Sequence, residues 1–191
     1  PDRIRTSFPR ICEHLEKYGS LANEIGVPEE IFAAFVSVES GGSTTAIRFE
    51  PHLFNRDYKQ DSDPPMPFTD AGDGFSLTRS ETDKGAFDRA FAINPAAAIK
   101  STSWGAFQVL GWALLRVEPD PENAVALFYD EPEETGVKMV KFWFESRPDA
   151  VEAARQRDFD ALARRYNGSN YAANAYHINL SNGSQEALKC Q

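Results

Sequence analysis

Long apolar runs are missing from this sequence: none exceeds Ile31–Val36, against the roughly 20 residues that a bilayer-crossing helix needs. A membrane-spanning helix is excluded, and no membrane partner is expected. Metal-binding side chains are sparse as well. With 2 Cys and 3 scattered His in 191 residues, a Cys/His metal centre lacks a ligand set, and no cofactor is called for. Positive charge is short: 20 Lys and Arg against 29 Asp and Glu give a formal net charge of -9. Duplex nucleic acid needs clustered cations, so no nucleic-acid partner is expected. An anionic polymer would be held by shape, hydrogen bonds and stacking, with little help from long-range attraction. Cys12 and Cys190 lie near opposite ends. Two cysteines do not make a framework, so unpaired thiols are the expectation; the other reading is a bridge that closes almost the whole chain into one loop. Neither an initiator Met nor a signal peptide stands before Pro1, which reads as a processed chain or, by preference, as a domain excised from a longer one.

What is present has an ordinary globular balance, 41% hydrophobic and 26% charged residues, in a chain long enough to bury about two thirds of its unfolded surface. Ile11, Leu15 and Tyr18 fall at helical spacing before Gly19, so residues 1–19 carry an N-terminal helix. A short amphipathic stretch, Ser20 to Ile25, stops at Gly26, and Pro28 opens a third helix. There Ile31, Phe35 and Val38 form one stripe and Phe32, Val36 and Glu39 the adjoining one. Glu39 thus falls on the apolar side, and Gly41-Gly42 ends the helix. Over residues 43–81 the periodicity fails and Pro, Gly and Asp accumulate. This predicts a loop-rich insertion, with a short strand at Ile47–Phe49 or a small hairpin, suited to walling a substrate groove. Helical pattern returns over Asp83–Ile93, from Pro95 through Ile99, from Asp120-Pro121 onward, and over Val137–Phe144, Ala150–Arg155, Phe159–Tyr166 and Tyr171–Leu180, with a frayed tail after Asn182. The expected architecture is mainly α, a single domain over residues 1–191.

Four clusters carry candidate chemistry. A glutamate on an apolar helix face has its acid form favoured by desolvation, and a carboxyl that keeps its proton near neutral pH donates to a glycosidic oxygen. Glu39 fits that role; the alternative is a helix-end glutamate turned into solvent. Glu50 follows eleven residues later, and glycosidases use two carboxyl groups, one to protonate the leaving oxygen and one to activate water or stabilise the oxocarbenium-like state. Its alternative is an exposed strand-end carboxylate paired with Arg48 or Arg56. The run Ser101-Thr102-Ser103-Trp104-Gly105-Ala106-Phe107-Gln108 mixes small polar groups with aromatics, as a sugar site does, although Trp104 and Phe107 by themselves read as core. Tyr166-Asn167-Gly168, with Tyr171, Asn174 and Tyr176 close behind, reads alone as a helix stop.

Taken in order, Val38-Glu39-Ser40-Gly41-Gly42, Arg48-Phe49-Glu50-Pro51-His52-Leu53-Phe54, Ser101-Thr102-Ser103-Trp104-Gly105-Ala106-Phe107-Gln108 and Tyr166-Asn167-Gly168 resemble the lysozyme superfamily. Across Ala22 to Leu180 the chain looks like the peptidoglycan N-acetylmuramidases of phage endolysins and some secreted bacterial effectors. The resemblance implies a lysozyme-like multi-helix fold that cleaves glycan strands between N-acetylmuramic acid and N-acetylglucosamine. It matches Glu39 to the catalytic acid and Glu50 to the second acidic residue. By similarity to goose-type lysozymes and lytic transglycosylases it places Ser103, Gln108, Tyr166 and Asn167 along the glycan. A further polar residue after the second carboxylate is implied, for which Thr69, Asp70, Ser76 and Thr78 stand open. Glycan strands of peptidoglycan are then the partner, the protein is expected to be a monomer made in the cytoplasm and acting in the periplasm or cell wall, and an immunity protein or further effector domains are the accompanying partners. A lytic transglycosylase, which forms 1,6-anhydro ends, and a peptidoglycan-binding domain without activity are the competing readings.

Overall fold

The computed structural model describes residues 4–61, 81–169 and 171–191. In chain order its elements are α1 (Ile11–Ile25), α2 (Glu29–Glu39), β1 (Ile47–Phe49), α3 (Pro51–Asp61), α4 (Asp83–Ile93), α5 (Pro95–Lys100), β2 (Thr102–Trp104) and β3 (Val109–Leu110). Then come α6 (Trp112–Val117), α7 (Pro121–Asp130), α8 (Pro132–Glu145), α9 (Pro148–Arg155), α10 (Phe159–Asn167), a 3-10 turn (Tyr171–Asn174) and α11 (Tyr176–Leu188). The expected mainly α architecture is the one observed. The chain divides into two compact units, one made from both ends (residues 1–43 and 140–191) and one from residues 44–139. Of the loop-rich insertion expected at 43–81, residues 62–80 lie outside the described residues.

In the first unit, α1 turns Ile11, Leu15, Tyr18 and Ala22 inward. It continues through Gly19, where the sequence predicts a stop, so the separate helices expected up to Gly19 and over Ser20–Ile25 are one. Glycine inside a helix costs only roughly 0.5–1 kcal/mol relative to alanine, and here the missing side chain admits the Glu29 carboxylate, which a Cβ would meet at 3.3 Å. Every residue of α2 from Glu30 to Val38 is buried, so α2 is the central helix of this unit. Its aromatic flank holds Phe32 and Phe35 against Phe144, with centroids 6.1 Å apart in both pairs. Glu30 is tolerated there because Arg157 Nη2 lies 2.5 Å from its Oε1, since a buried charge without a partner is strongly destabilising.

The tail predicted to fray after Asn182 is instead the second half of α11, with Gly183, Ser184 and Ala187 buried. Cys190 is bonded to Cys12, with Cα atoms 5.5 Å apart. The expectation of unpaired thiols is therefore wrong. Spacing alone gives no hint of the bridge, because it depends on α11 returning to the start of α1.

In the second unit the three strands form an antiparallel sheet in the order β1-β2-β3. Ile47 pairs with Trp104, Arg48 with Ser103, and Ser103 with Leu110. Alternation along β2 buries Thr102 and Trp104 and leaves Ser103 on the opposite face with Arg48 and Leu110. Trp104 is fully buried against Phe87 and Phe128, at centroid distances of 5.1 and 4.8 Å. Residues 51–61, expected as loop, form α3. Pro51 supplies the first-turn φ, while the Glu50 carbonyl accepts from the Leu53 and Phe54 amides at 3.0 and 3.2 Å. Thr69, Asp70, Ser76 and Thr78 lie outside the described residues. The helix boundaries expected from Asn94-Pro95 and Asp120-Pro121 are observed, with both cap side chains accepting an amide 2.9 Å away.

Candidate active site

Glu39 is the last residue of α2, at the point where the buried face meets partial exposure. The helix ends there because Gly41 and Gly42 adopt φ of 64° and 86°, left-handed values that suit glycine. Gly42 is also fixed by packing. A Cβ on it would stand 2.4 Å from His14 Nε2, so the backbone passes directly over the buried imidazole. His14 Nδ1 lies 2.8 Å from Ser37 Oγ on α2. Burial, then the nearby Arg10 cation, lowers the His14 pKa, which keeps a neutral ring beneath the end of the catalytic candidate's helix.

Two phenols face Glu39. Tyr176, the first residue of α11, donates its hydroxyl to Glu39 Oε1. Tyr166 lies near the end of α10, packed edge-on to Phe35 and Trp143 at centroid distances of 4.6 and 4.5 Å. Both phenol pKa values are raised well above 10.0, first by burial and then by the charge of Glu39. Both therefore stay protonated at any physiological pH. A donor held on Oε1 has a direct chemical consequence. The phenol hydroxyl fixes the orientation of the carboxyl group from that oxygen. Asn167 ends α10 in an exposed position before Gly168.

The second unit positions the remaining candidates. Glu50 caps α3 through its backbone, and its amide donates to the Ser101 carbonyl at 2.8 Å. Its Oε1 lies 3.0 Å from Arg48 Nε and its Oε2 3.7 Å from His52 Nδ1. The pairing with Arg48 foreseen in the alternative reading is thus present, while Arg56 engages Asp57 at 2.8 Å. Ser103 sits one strand over, opposite Arg48. Gln108 adopts φ 50° at the β2–β3 turn, and its Nε2 donates to the carbonyls of Gly105 and Ala46 at 3.0 and 3.2 Å. Its amide nitrogen thereby ties the turn to the segment before β1. Trp104 and Phe107, 0% and 1% exposed, are core and present no face to a sugar. Of the predicted residues, Glu39 and Tyr166 come together in the first unit, and Glu50, Ser103 and Gln108 share the second.

Tyr176 was noted in the sequence only as a neighbour of Tyr166-Asn167. Its contact with Glu39 spans 137 residues, and the available signal was a tyrosine opening a helix shortly after a glycine stop.

The N-acetylmuramidase family profile matches residues 28–187. Among solved structures, the crystal structure of the Burkholderia AP3 phage endolysin is similar, with a TM-score of 0.62 and 21% identity over 93% of this chain and 70% of that one. None of the curated proteins matches. That structural likeness fixes the fold as lysozyme-like, and the profile spans most of the chain, including both carboxylates and the aromatic pair beside the first of them. The chain belongs to the N-acetylmuramidase family and is a glycoside hydrolase of bacterial peptidoglycan.

Proposed function

We propose that the protein hydrolyses the β-1,4 bond between N-acetylmuramic acid and N-acetylglucosamine, with Glu39 as general acid and Glu50 as the second carboxylate that positions water. The observation that carries this reading is the Tyr176 hydroxyl on Glu39 Oε1. A neutral phenol orients the carboxyl so that one oxygen accepts while the other delivers its proton to the leaving glycosidic oxygen, a contribution of typically about 100- to 10,000-fold. Glu50 is assigned as the carboxylate that follows Glu39 eleven residues on in the sequence, and Arg48 lies 3.0 Å from its Oε1. Ser103, Gln108, Tyr166 and Asn167 are assigned to the glycan. Ser103 does so from the open face of the sheet, Gln108 by shaping the turn beside it, and Asn167 from the exposed end of α10.

Muropeptide analysis by mass spectrometry after digestion tests the reading. Hydrolysis gives reducing ends, whereas a lytic transglycosylase gives 1,6-anhydro ends and needs no second carboxylate. Glu39→Gln should abolish turnover with the fold retained, and Glu50→Gln should cost a hydrolase severely. Anhydro products together with an active E50Q variant would refute hydrolysis. Retained peptidoglycan binding without any product from the intact protein would identify a binding domain.

A further inference from the structure

Arg5 stands outside every predicted cluster, yet it touches both helices that meet at the proposed acid. Its side chain reaches the end of α2, where Nη1 donates to the Ser37 carbonyl at 2.7 Å and Nη2 to the Val38 carbonyl at 3.0 Å. These belong to the last turn of α2, whose carbonyls have no amide ahead of them within the helix. A cation also suits this negative end of the helix dipole. The backbone of the same residue is held by α11. Its amide donates to Asn179 Oδ1 at 2.7 Å, and its carbonyl accepts from Asn182 Nδ2 at 3.4 Å. Asn179 is only 4% exposed and lies three residues after Tyr176, on the same side of α11. The crossing of the two helices is close, since a Cβ on Gly183 would come within 2.9 Å of Ala34 Cβ. The Arg5 cation also reaches the Tyr176 phenol, opposing the rise of its pKa.

We propose that Arg5 is a positioning residue for the reaction, clamping the end of α2 to α11 so that Tyr176 and Glu39 stay in hydrogen-bonding register. The role rests on Glu39 being the acid. The fork of the guanidinium suits two carbonyls one residue apart, a task that the single ammonium of lysine performs less well. Without the clamp, the Ser37 and Val38 carbonyls lose their tie to α11, and the last turn of α2 relies on the His14 packing under Gly42, beyond Ser40. Glu39 then samples positions displaced from the productive one, and a displacement of about 1 Å is enough to cost up to roughly 100-fold in rate.

The test is a double-mutant cycle between Arg5→Ala and Tyr176→Phe, reading kcat and KM on soluble peptidoglycan fragments, with folding checked by circular dichroism. R5A should lower kcat about tenfold with KM within about twofold. In the Y176F background the same substitution should cost less than about twofold, because the bond it protects is already gone. Arg5→Lys should recover part of the loss, and if R5A fails to fold, R5K takes its place in the cycle. Wild-type kcat in R5A would overturn the clamp, as would a full tenfold loss persisting in Y176F, which marks a structural role that does not act through Tyr176. Glu39→Gln, measured alongside, separates the two levels. Retained turnover there overturns the acid assignment and this role with it, whereas an inactive E39Q beside an unaffected R5A overturns the clamp alone.

Discussion

Replacing Tyr176 by Phe removes one oxygen and keeps a ring that is 6% exposed, so it isolates the hydrogen bond to Glu39 from the packing of α11. The lost interaction is a single O–H···O bond to a carboxyl group. Such bonds contribute about 0.5–1.5 kcal/mol when both partners are neutral and about 1.5–3 kcal/mol when one is charged. In the proposed role Glu39 gives up its proton from the acid form and is left ionised, so the bond would strengthen as the reaction proceeds. A difference of about 1–2 kcal/mol then falls on the transition state, which corresponds to roughly a 5- to 30-fold loss in kcat. Substrate binding is untouched by this bond, and KM should stay within about twofold. Stability should change little, because the ring remains packed; at about 1 kcal/mol the melting temperature falls by only about 2–4 °C. Reducing-end release from soluble peptidoglycan fragments, together with thermal unfolding followed by circular dichroism, measures both quantities. A Y176F variant with kcat within twofold of wild type would refute the orienting role of the phenol, and with it the argument for which oxygen carries the proton.

Three further outcomes follow from the same structure. Gly42→Ala forces a side chain onto a φ of 86° and against His14 Nε2, so it should destabilise by about 1–3 kcal/mol and lower activity; equal urea midpoints would count against the packing of that turn. Replacing Cys12 and Cys190 by Ala opens a loop closed across 178 residues, and about 2–5 kcal/mol of stability should be lost in denaturant unfolding; an unchanged midpoint would show that the bridge contributes nothing. Stability should also fall at both ends of the pH range. The folded-state pKa of His14 is lowered from 6.5, so its contribution is present above that value and lost as the pH drops below it. Tyr166 and Tyr176 are raised above 10.0, so their contribution is present below about pH 10 and is lost as the pH climbs toward the folded values. Absorbance near the tyrosinate band should show these two phenols ionising later than an exposed tyrosine, and simultaneous early ionisation of all six tyrosines would refute their raised pKa.

The local grammar of the chain was readable where caps and periodicity agree. Asn94-Pro95 and Asp120-Pro121 mark true helix starts, because a cap side chain and a first-turn proline act within four residues. Gly19 misled for the same reason that these succeeded. A local rule treats glycine as a stop, while packing against Glu29 lets the helix run on. Residues 51–61 were read as loop because their apolar pattern is thin, yet the first-turn proline and the Glu50 carbonyl start a helix there.

From sequence alone came the mainly helical class, the position of Glu39 at the end of an apolar helix, and the ordered motifs that resemble the N-acetylmuramidases, the family whose profile matches residues 28–187. All of these are set by neighbours within a turn or by motif order. Only the tertiary structure decided that Tyr176 meets Glu39 across 137 residues, that Cys12 bonds Cys190, and that Arg5 ties α2 to α11. These contacts arise where the first and last parts of the chain pack against the central helix, and no periodicity or spacing encodes which side chains meet at such a crossing.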